Sequence, residues 1–346
     1  MSMNILLLGA NGFIGSNLSP YILKNYDWGI YAMDLHSDKL AACLDNKRFH
    51  FTQGDITASK DWIEAHIEKC DAVLPLVAIA NPAIYVKNPL AVFELDFVAN
   101  LEVIRLCVKH KKRIIFPSTS EVYGMSPDSP YDEETSNLVT GPIKKERWIY
   151  SCSKQMMDRV IYAYGQHQGL PFTLFRPFNW FGPGLDNVWD KDKPSRVVSQ
   201  FLSNIFYRRD IILVGGGGQK RCFLYIEDAI EALARIIENK NGCASGRIFN
   251  IGHPGNEASI SELAEMMLDI MSEFKGYENS RSQVKITAVK GEEHFGEGFQ
   301  DIVSRVPNIA RATQYLGWKP ATDLRDAVRK TIVYYYAQIP EMLASA

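Results

Sequence analysis

The sequence predicts an α/β fold in which a parallel sheet is followed by a smaller lobe. Short apolar runs alternate with helical patterns from the first residues, and this alternation loosens after about Pro177. Strands that alternate with helices pair in parallel, because each connection crosses over the sheet. Six segments are predicted as strands: residues 4–8, 29–34, 49–54, 72–76, 113–116 and 172–176.

Two of the intervening segments have apolar residues at helical spacing. The first set is Phe93, Phe97, Leu101, Ile104 and Val108, and the second is Ile149, Met156, Met157, Val160, Ile161 and Tyr164. We expect most of these side chains to face the core. An excess of apolar faces on two adjacent helices also suits a dimer surface, so we predict a homodimer that pairs through these two helices.

The second half of the chain is predicted to form the smaller lobe. It begins with a polar loop at residues 182–194, a helix near residues 197–207 and a glycine run at residues 215–218, which suits a turn beside a ligand. We expect residues 1–177 to form the first domain and residues 178–346 to form mainly the lobe that binds substrate, with some segments returning to the first domain.

Composition excludes several classes of protein. The 346 residues carry 38 Lys and Arg against 40 Asp and Glu, which excludes the broad basic surface of a dedicated nucleic-acid binder. Six scattered cysteines lack zinc-ligand spacing and fit a reducing cytosol, so we predict no metal. No run approaches the roughly 18 apolar residues of a membrane span, and the N-terminus lacks a secretory leader. We therefore expect a cytoplasmic protein that binds neither nucleic acid nor membrane.

A glycine-rich turn follows the first predicted strand and opens a helix. Its G-x-x-G-x-x-G spacing lets backbone N–H groups and a helix N-terminus approach a pyrophosphate. The next strand ends in Asp34, about 20 residues after the last glycine, where a ribose-binding acid is expected. This carboxylate would repel a 2′-phosphate, so we predict NAD, not NADP, in a Rossmann doubly wound sheet. The predicted cofactor residues are Gly9, Gly12, Phe13, Ile14, Gly15, Asp34, Asp55 and Ile56, the last two at the end of the third strand.

Tyr150 and Lys154 are predicted to form a reaction centre. Their spacing of four puts both side chains on one face of a helix. A tyrosine with an ordinary pKa near 10 needs nearby cations to take a proton from a sugar hydroxyl near neutral pH, and Lys154 and a nicotinamide ring could supply two. Ser120 could hold the same hydroxyl. Y-x-x-x-K alone is common in helices, so only its combination with the glycine turn, Asp34 and the Thr-Ser-Glu segment carries weight.

Together these motifs resemble the extended short-chain dehydrogenase/reductase family that acts on nucleotide sugars, over nearly the whole chain, including residues 316–320. Five segments resemble one branch of it, the UDP-glucuronate decarboxylases of bacterial polymyxin resistance, which make aminoarabinose precursors for lipid A modification: residues 117–124, 147–150, 176–180, 219–223 and 298–301. The resemblance implies that Tyr150 is the base while a hydride leaves sugar C4 for NAD. The resulting ketone lies β to the C6 carboxylate and promotes loss of carbon dioxide.

The resemblance also implies roles for other residues. Glu121 and Arg305 match a further catalytic pair, which bears on proton delivery and carboxylate handling respectively. Arginine grips phosphate or carboxylate in a fork, which suits a UDP-glucuronate substrate. Phe299 and Ile212 stand where the close relative has a tyrosine and a lysine, so nucleotide specificity could differ there. The implied substrate-binding residues are Ala80, Tyr85, Thr119, Ser120, Arg147, Asn179, Arg196, Lys220, Arg221 and Phe299.

Other functions are weighed against this one. A UDP-xylose synthase shares the first two steps and then returns the hydride to C4, and the sequence leaves that alternative open. A 4,6-dehydratase would have Asp, and an apiose/xylose synthase Cys, at position 120, and a 4-epimerase usually lacks the acid at position 121. An NAD-binding redox sensor without turnover commonly loses the tyrosine and lysine, which are present here. Because the first strand begins at residue 4, we expect a decarboxylase without the formyltransferase domain of the relative.

Overall fold

Parallel strands form the centre of the structure, a computed structural model that describes residues 3–190 and 195–339. The strands are β1 (Asn4–Leu8), β2 (Gly29–Asp34), β3 (Phe49–Gln53), β4 (Ala72–Pro75), β5 (Arg113–Pro117), β6 (Phe172–Pro177), β7 (Trp180–Phe181), β8 (Ile211–Val214), β9 (Lys220–Cys222), β10 (Leu224–Tyr225), β11 (Arg247–Ile251), β12 (Glu257–Ser259) and β13 (Ile286–Val289). The helices are α1 (Phe13–Asn25), α2 (Ala41–Leu44), α3 (Lys60–Lys69), α4 (Pro82–Lys87), α5 (Pro89–Phe93), α6 (Asn100–His110), α7 (Trp148–Gln168), α8 (Val197–Phe206), α9 (Ile226–Glu238), α10 (Ile260–Met271), α11 (Ser280–Gln283), α12 (Gly291–Phe295), α13 (Ala310–Leu316) and α14 (Leu324–Tyr336).

Seven strands form one sheet in the order β3-β2-β1-β4-β5-β6-β11, and every neighbouring pair is parallel. Side chains of β1 alternate between two cores, with Ile5 and Leu7 in one and Leu6 and Leu8 in the other, because successive residues of a strand face opposite sides. Helices therefore cover both faces. The predicted Rossmann doubly wound α/β fold is confirmed, and the six predicted strands occur with ends that differ by at most one residue.

The strand order reverses between β1 and β4. In doubly wound sheets a ligand binds at such a switch point, outside the carboxyl ends of the strands. The second half of the chain contributes β11 to the sheet and forms three small two-stranded sheets, β7 with β10, β8 with β13 and β9 with β12. The domain boundary at residue 177 stays a prediction.

The first predicted helical stretch is interrupted in the structure. It consists of α5, a π-helical turn at Glu94–Ala99 and α6. A π turn contains more residues than an α turn, so it rotates the side chains that follow, and an α-helical spacing rule does not detect it. The second stretch lies within α7, where Met156 and Tyr162 are exposed. The homodimer stays a prediction.

In the two described stretches of chain, none of the helices is both long and apolar enough to cross a membrane.

Candidate active site

A cleft of about 810 Å³ lies along the carboxyl ends of the central strands. Its walls include Gly9 after β1, Leu76 after β4, and the ends of β5 and β6 at Pro117 and Pro177. Most of the predicted site residues line it: Gly9, Gly12, Phe13, Ile14, Ala80, Tyr85, Thr119, Ser120, Glu121, Arg147, Tyr150, Lys154, Asn179, Arg196, Arg221, Phe299 and Arg305. The fold thus brings residues from both halves of the chain to one cleft.

Five predicted residues, Gly15, Asp34, Asp55, Ile56 and Lys220, do not line this cleft. The carboxylate of Asp55 accepts hydrogen bonds of 2.8 Å from both the N–H and the hydroxyl of Thr57. Ile56 packs against the core. A second pocket, of about 330 Å³, is lined by Met33, Thr52 and residues 58–62. Lys220 points outward, with its Nζ 3.6 Å from Glu257. The roles assigned to these residues stay predictions.

The glycine turn has the close packing that a dinucleotide-binding turn requires. Gly9 has a φ of +85°, and a Cβ there would lie 3.0 Å from the backbone nitrogen of Val77. A Cβ on Gly15 would lie 2.5 Å from the carbonyl oxygen of Ala10, so α1 approaches the turn after β1 as closely as only glycine allows. Gly12 caps α1 with its backbone, and its position on the cleft leaves the helix N-terminus aimed at a bound anion. These residues fit a dinucleotide.

Asp34 is tied directly to this turn. Its Oδ2 accepts a 2.8 Å hydrogen bond from the N–H of Asn11, which stands between the first two glycines. The Asn11 side chain in turn donates to Asp38 and accepts from the N–H of Lys39, each at 2.8 Å. Sequence reasoning missed Asn11. The signal that could have identified it is an amide side chain inside a glycine turn, because such a side chain can both donate and accept hydrogen bonds.

Tyr150 and Lys154 project from the first turns of α7 into the cleft. The Tyr150 ring stacks on Tyr85, with centroids 4.5 Å apart and planes inclined by 9°. Lys154 donates from Nζ to the Pro117 carbonyl at 3.0 Å, and its Nζ lies 6.0 Å from the Tyr150 ring centre. Thr119 and Tyr85 lie close enough to the Tyr150 side chain to lower its pKa, against the larger effect of burial. The lysine is thus anchored at the end of β5, next to the tyrosine.

Burial dominates the titration of this pair. It raises the pKa of Tyr150 well above its usual value, and the nearby carboxylates of Asp96 and Glu121 raise it further. Burial also lowers the pKa of Lys154, against the opposing effect of Asp96 and Asp158. Lys154 alone therefore does not turn Tyr150 into a base near neutral pH. A further positive charge has to enter the cleft beside it.

Two arginines surround Glu121. Arg147 donates from Nη2 to Oε2 of Glu121 at 2.7 Å, and Nη1 of Arg305 lies 3.4 Å from Oε1 and 3.5 Å from the Ser120 hydroxyl. Burial alone would raise the pKa of Glu121, but Arg147, Arg305 and Arg221 outweigh it and hold the pKa below its usual range. Glu121 is therefore ionised at neutral pH. It holds Arg147 and Arg305 in place.

Arg147 and Arg221 also fasten the segment that carries Arg305. Arg147 donates from Nη1 to the Gln300 carbonyl at 2.7 Å, and Arg221 donates to the Ile302 carbonyl and to Asp301, each at 2.7 Å. These contacts were not predicted. The sequence assigned both arginines to substrate, whereas the structure shows that much of their hydrogen-bonding capacity serves the protein. Their contact with substrate stays a prediction.

Other predicted residues occupy distinct positions around the cleft. Arg196 pairs with Asp186 at 2.8 Å and lies over the Phe13 ring. Asn179 donates from Nδ2 to the Cys222 carbonyl at 3.1 Å. Phe299 packs near Arg147, with the guanidinium carbon 5.7 Å from the ring centre. Ile212 is part of the lining too.

Two buried carboxylates of this region, Asp96 and Asp158, were missed. Asp96 lies in the π turn within an otherwise apolar stripe, and Asp158 follows Lys154 by four residues on α7. An acid inside an apolar stripe and an i,i+4 partner of a predicted catalytic lysine were the signals that could have identified them. Across residues 3–190 and 195–339, no group of three or more His, Cys, Asp or Glu side chains is arranged to hold a metal ion.

Comparison with known proteins identifies the family. The NAD dependent epimerase/dehydratase family matches residues 5–252. The PbgP3 protein of Burkholderia pseudomallei is 49% identical, with a TM-score of 0.89 over 100% of this chain and 98% of that chain. UDP-glucuronic acid 4-epimerase from Bacillus cereus has 22% identity and a TM-score of 0.81 over 97% of this chain and 100% of that chain. The dTDP-glucose 4,6-dehydratase from Bacillus anthracis has 21% identity and a TM-score of 0.78 over 99% of this chain and 98% of that chain.

The last two likenesses show the fold alone, whereas the family match covers most of the chain. The predicted membership of the extended short-chain dehydrogenase/reductase family is confirmed, as is NAD as the cofactor. This chain belongs to the NAD dependent epimerase/dehydratase family.

Proposed function

We propose that the protein oxidises UDP-glucuronate at C4 with NAD and then removes C6 as carbon dioxide. The observation that carries the proposal is the position of Arg305. The residue is 6% exposed, its Nη1 lies 3.5 Å from the Ser120 hydroxyl, and its Nε has no hydrogen-bond partner among the described residues. A buried cation with a free donor beside the residues proposed to bind the reacting hydroxyl suits a sugar that carries a carboxylate.

Oxidation requires a base at the C4 hydroxyl. Ser120 and Thr119 hold that hydroxyl next to Tyr150, and the phenolic oxygen takes its proton as the C4–H bond gives up a hydride. Bound NAD supplies a positively charged ring that accepts this hydride. Burial raises the pKa of Tyr150, so the tyrosine becomes a base only beside added positive charge, which couples proton removal to assembly of the complete site.

Decarboxylation follows from the same geometry. The C4 ketone lies β to the C6 carboxylate, so the electrons of the C5–C6 bond move onto the C4 oxygen as carbon dioxide leaves. C5 then takes a proton from water. Arg305 orients the carboxylate, and the ionised Glu121 holds Arg305 and Arg147 in position. The ketone oxygen gains charge at this step, and the hydroxyl groups of Ser120 and Tyr150 stabilise it.

The comparisons support this substrate class. PbgP3 is 49% identical over the full chain, and the Bacillus cereus epimerase was solved with UDP-glucuronic acid and NAD. A nucleoside diphosphate sugar with a carboxylate also suits a cleft that is lined by three arginines predicted to bind substrate, Arg147, Arg196 and Arg221, and by Arg305, which is predicted to be catalytic.

The direct test is incubation with UDP-glucuronate and NAD. We expect NADH and carbon dioxide in equal amounts, and NMR should show a UDP-linked 4-keto-pentose. UDP-xylose without net NADH would instead assign the protein as a synthase that returns the hydride to C4. Absence of carbon dioxide from UDP-glucuronate would refute both assignments.

A matched pair of variants tests the base. Tyr150→Phe removes the proposed proton acceptor, and Tyr162→Phe makes the same change at an exposed site on the same helix. We expect the first to lower turnover about 10²–10⁴-fold and the second to leave it unchanged. Undiminished turnover in Tyr150→Phe would show that this tyrosine is not the base.

A further inference from the structure

Asp96 combines complete burial with incomplete hydrogen bonding. It lies in the π turn Glu94–Ala99 and is 0% exposed. Its Oδ1 accepts a 2.8 Å hydrogen bond from the N–H of Ile79, whereas its Oδ2 has no hydrogen-bond partner among the described residues. Leaving a buried carboxylate oxygen unpaired lowers stability, and an asparagine could accept the same bond from Ile79. Stability of the fold therefore does not explain why this position has an aspartate.

The residues around Asp96 connect it with the reaction centre. The π turn packs against α7, and π turns occur frequently at functional sites. The carboxylate interacts electrostatically with Lys154, Tyr150 and Tyr85, all of which line the cleft. Ile79, which it holds, lies in the loop between β4 and α4 that also lines the cleft. One side chain therefore contacts the loop and influences the reaction centre.

A second carboxylate near Lys154 is already paired. Oδ2 of Asp158 accepts from the Ser118 hydroxyl at 2.8 Å and from Nη2 of Arg176 at 3.2 Å. No arginine contacts Asp96 in the described part of the chain, and Lys154 is the cation that acts on it. Because Arg176 largely neutralises Asp158, Asp96 is the carboxylate that can best compensate for the burial of Lys154.

We propose that Asp96 is a positioning residue of the reaction centre: its carboxylate keeps Lys154 charged, and its Oδ1 holds the Ile79 loop against the cleft. The proposal rests on the proposed roles of Tyr150 and Lys154. Burial raises the pKa of Asp96 to about 6, so its carboxylate is ionised at neutral pH and above. Its negative charge raises the pKa of both Lys154 and Tyr150.

The test is the pH dependence of NADH formation in Asp96→Asn, with Asp45→Asn as a control at an exposed carboxyl on α2's C-terminus. Loss of a negative charge lowers the pKa of Tyr150, which sets the acidic limb, and the pKa of Lys154, which sets the basic limb. We expect the whole kcat/KM profile to move to lower pH by about one unit. The control should keep the wild-type profile.

Two further measurements separate this role from a structural one. Asn keeps the acceptor for Ile79, so NAD affinity from tryptophan fluorescence and the thermal midpoint should not fall in Asp96→Asn. Asp96→Glu keeps the charge and should keep the wild-type pH profile. A uniform loss of activity without a pH shift, or the same shift in Asp96→Glu, would overturn the proposal. If Tyr150→Phe is fully active, both the proposed base and the role of Asp96 are refuted. If Tyr150→Phe is inactive but Asp96→Asn keeps the wild-type pH profile, only the role of Asp96 is refuted.

Discussion

Arg147 provides a test of the charge arrangement around Glu121. The change Arg147→Met keeps a long side chain but removes the cation. It breaks the 2.7 Å bond to Glu121 and the 2.7 Å bond to the Gln300 carbonyl, and the arginine is only 1% exposed. Glu121, 8% exposed, would then stay buried with Arg305 as its nearest cation at 3.4 Å.

The structure sets the size of the expected effect. Removing one partner of a buried ion pair lowers the free energy of unfolding by about 3–5 kcal/mol. Here the loss should be near the lower end, about 3 kcal/mol, because Arg305 still pairs with Glu121. The unpaired Gln300 carbonyl adds about 1 kcal/mol. For a chain of this length the entropy of unfolding is roughly 0.7 kcal/mol per kelvin, so the midpoint of thermal unfolding should fall by about 5 °C.

Calorimetry or chemical denaturation measures this loss. The matched control is Arg325→Met, which removes a half-exposed arginine 3.7 Å from Glu273 and should cost under about 1 kcal/mol. Adding Glu121→Gln to Arg147→Met should recover only part of the loss, because it removes the buried carboxylate that lacks Arg147 but also takes the carboxylate partner from Arg305. If Arg147→Met costs no more than Arg325→Met, Arg147 does not hold Glu121 as described.

The loss should also depend on pH. The folded-state pKa of Glu121 lies below its usual value of 4.5, so its stabilising contribution is present above that value and disappears as pH falls through the folded pKa. Without Arg147, burial favours the protonated acid and raises this pKa. The wild type and Arg147→Met should therefore differ most at neutral pH, and the difference should shrink as acidification protonates Glu121 in the variant.

Two other predictions concern the cofactor turn. Gly15→Ala places a methyl group 2.5 Å from the Ala10 carbonyl oxygen, so it should lower the free energy of unfolding by about 1–3 kcal/mol and should also weaken NAD binding. Gly12→Ala, whose methyl group would lie 3.2 Å from the Gly9 oxygen, should have smaller effects. Denaturation measures the stability and fluorescence titration the NAD affinity, and equal effects of the two variants would contradict the close approach at Gly15. Asp34→Asn keeps an acceptor for the Asn11 N–H but removes the charge, so the preference for NAD over NADP should fall about tenfold in competitive titrations; an unchanged preference would remove Asp34 from the ribose site.

The strands could be predicted because their signal is local. Six of the seven strands of the central sheet were predicted from short β-type runs, whereas β11 was not, and the two-sided burial of β1 follows from its apolar run. The glycine turn and the Tyr150–Lys154 pair were predictable for the same reason, since each depends on spacing within one element. The π turn at Glu94–Ala99 was not, because the surrounding apolar residues continue through it and only the burial of Asp96 distinguishes it.

The hydrogen-bond partners of the arginines could not be predicted from the sequence, because they depend on the fold. Net charge and residue type indicated a cluster for a polyanionic substrate, but they could not tell which donors the protein itself uses. Arg147 and Arg221 bond to backbone carbonyls at residues 300 and 302, and Arg196 pairs with Asp186. The contacts of Arg147 and Arg221 join segments 153 and 81 residues apart in sequence, so the proximity of those segments depends on long-range packing.

Arg305 differs from these three arginines in a way that bears on specificity. Its contacts in the described structure are long, 3.4 Å to Glu121 and 3.5 Å to Ser120, whereas each of the other three makes a contact of 2.7 or 2.8 Å. Its Nε has no partner there, which is also true of Arg147. Arg147 already neutralises the other oxygen of Glu121. The donor capacity available next to Ser120 therefore comes mainly from one guanidinium, which matches one carboxylate. We therefore expect the choice between a glucuronate nucleotide and a neutral hexose nucleotide to depend on Arg305, whose segment Arg147 and Arg221 hold in place.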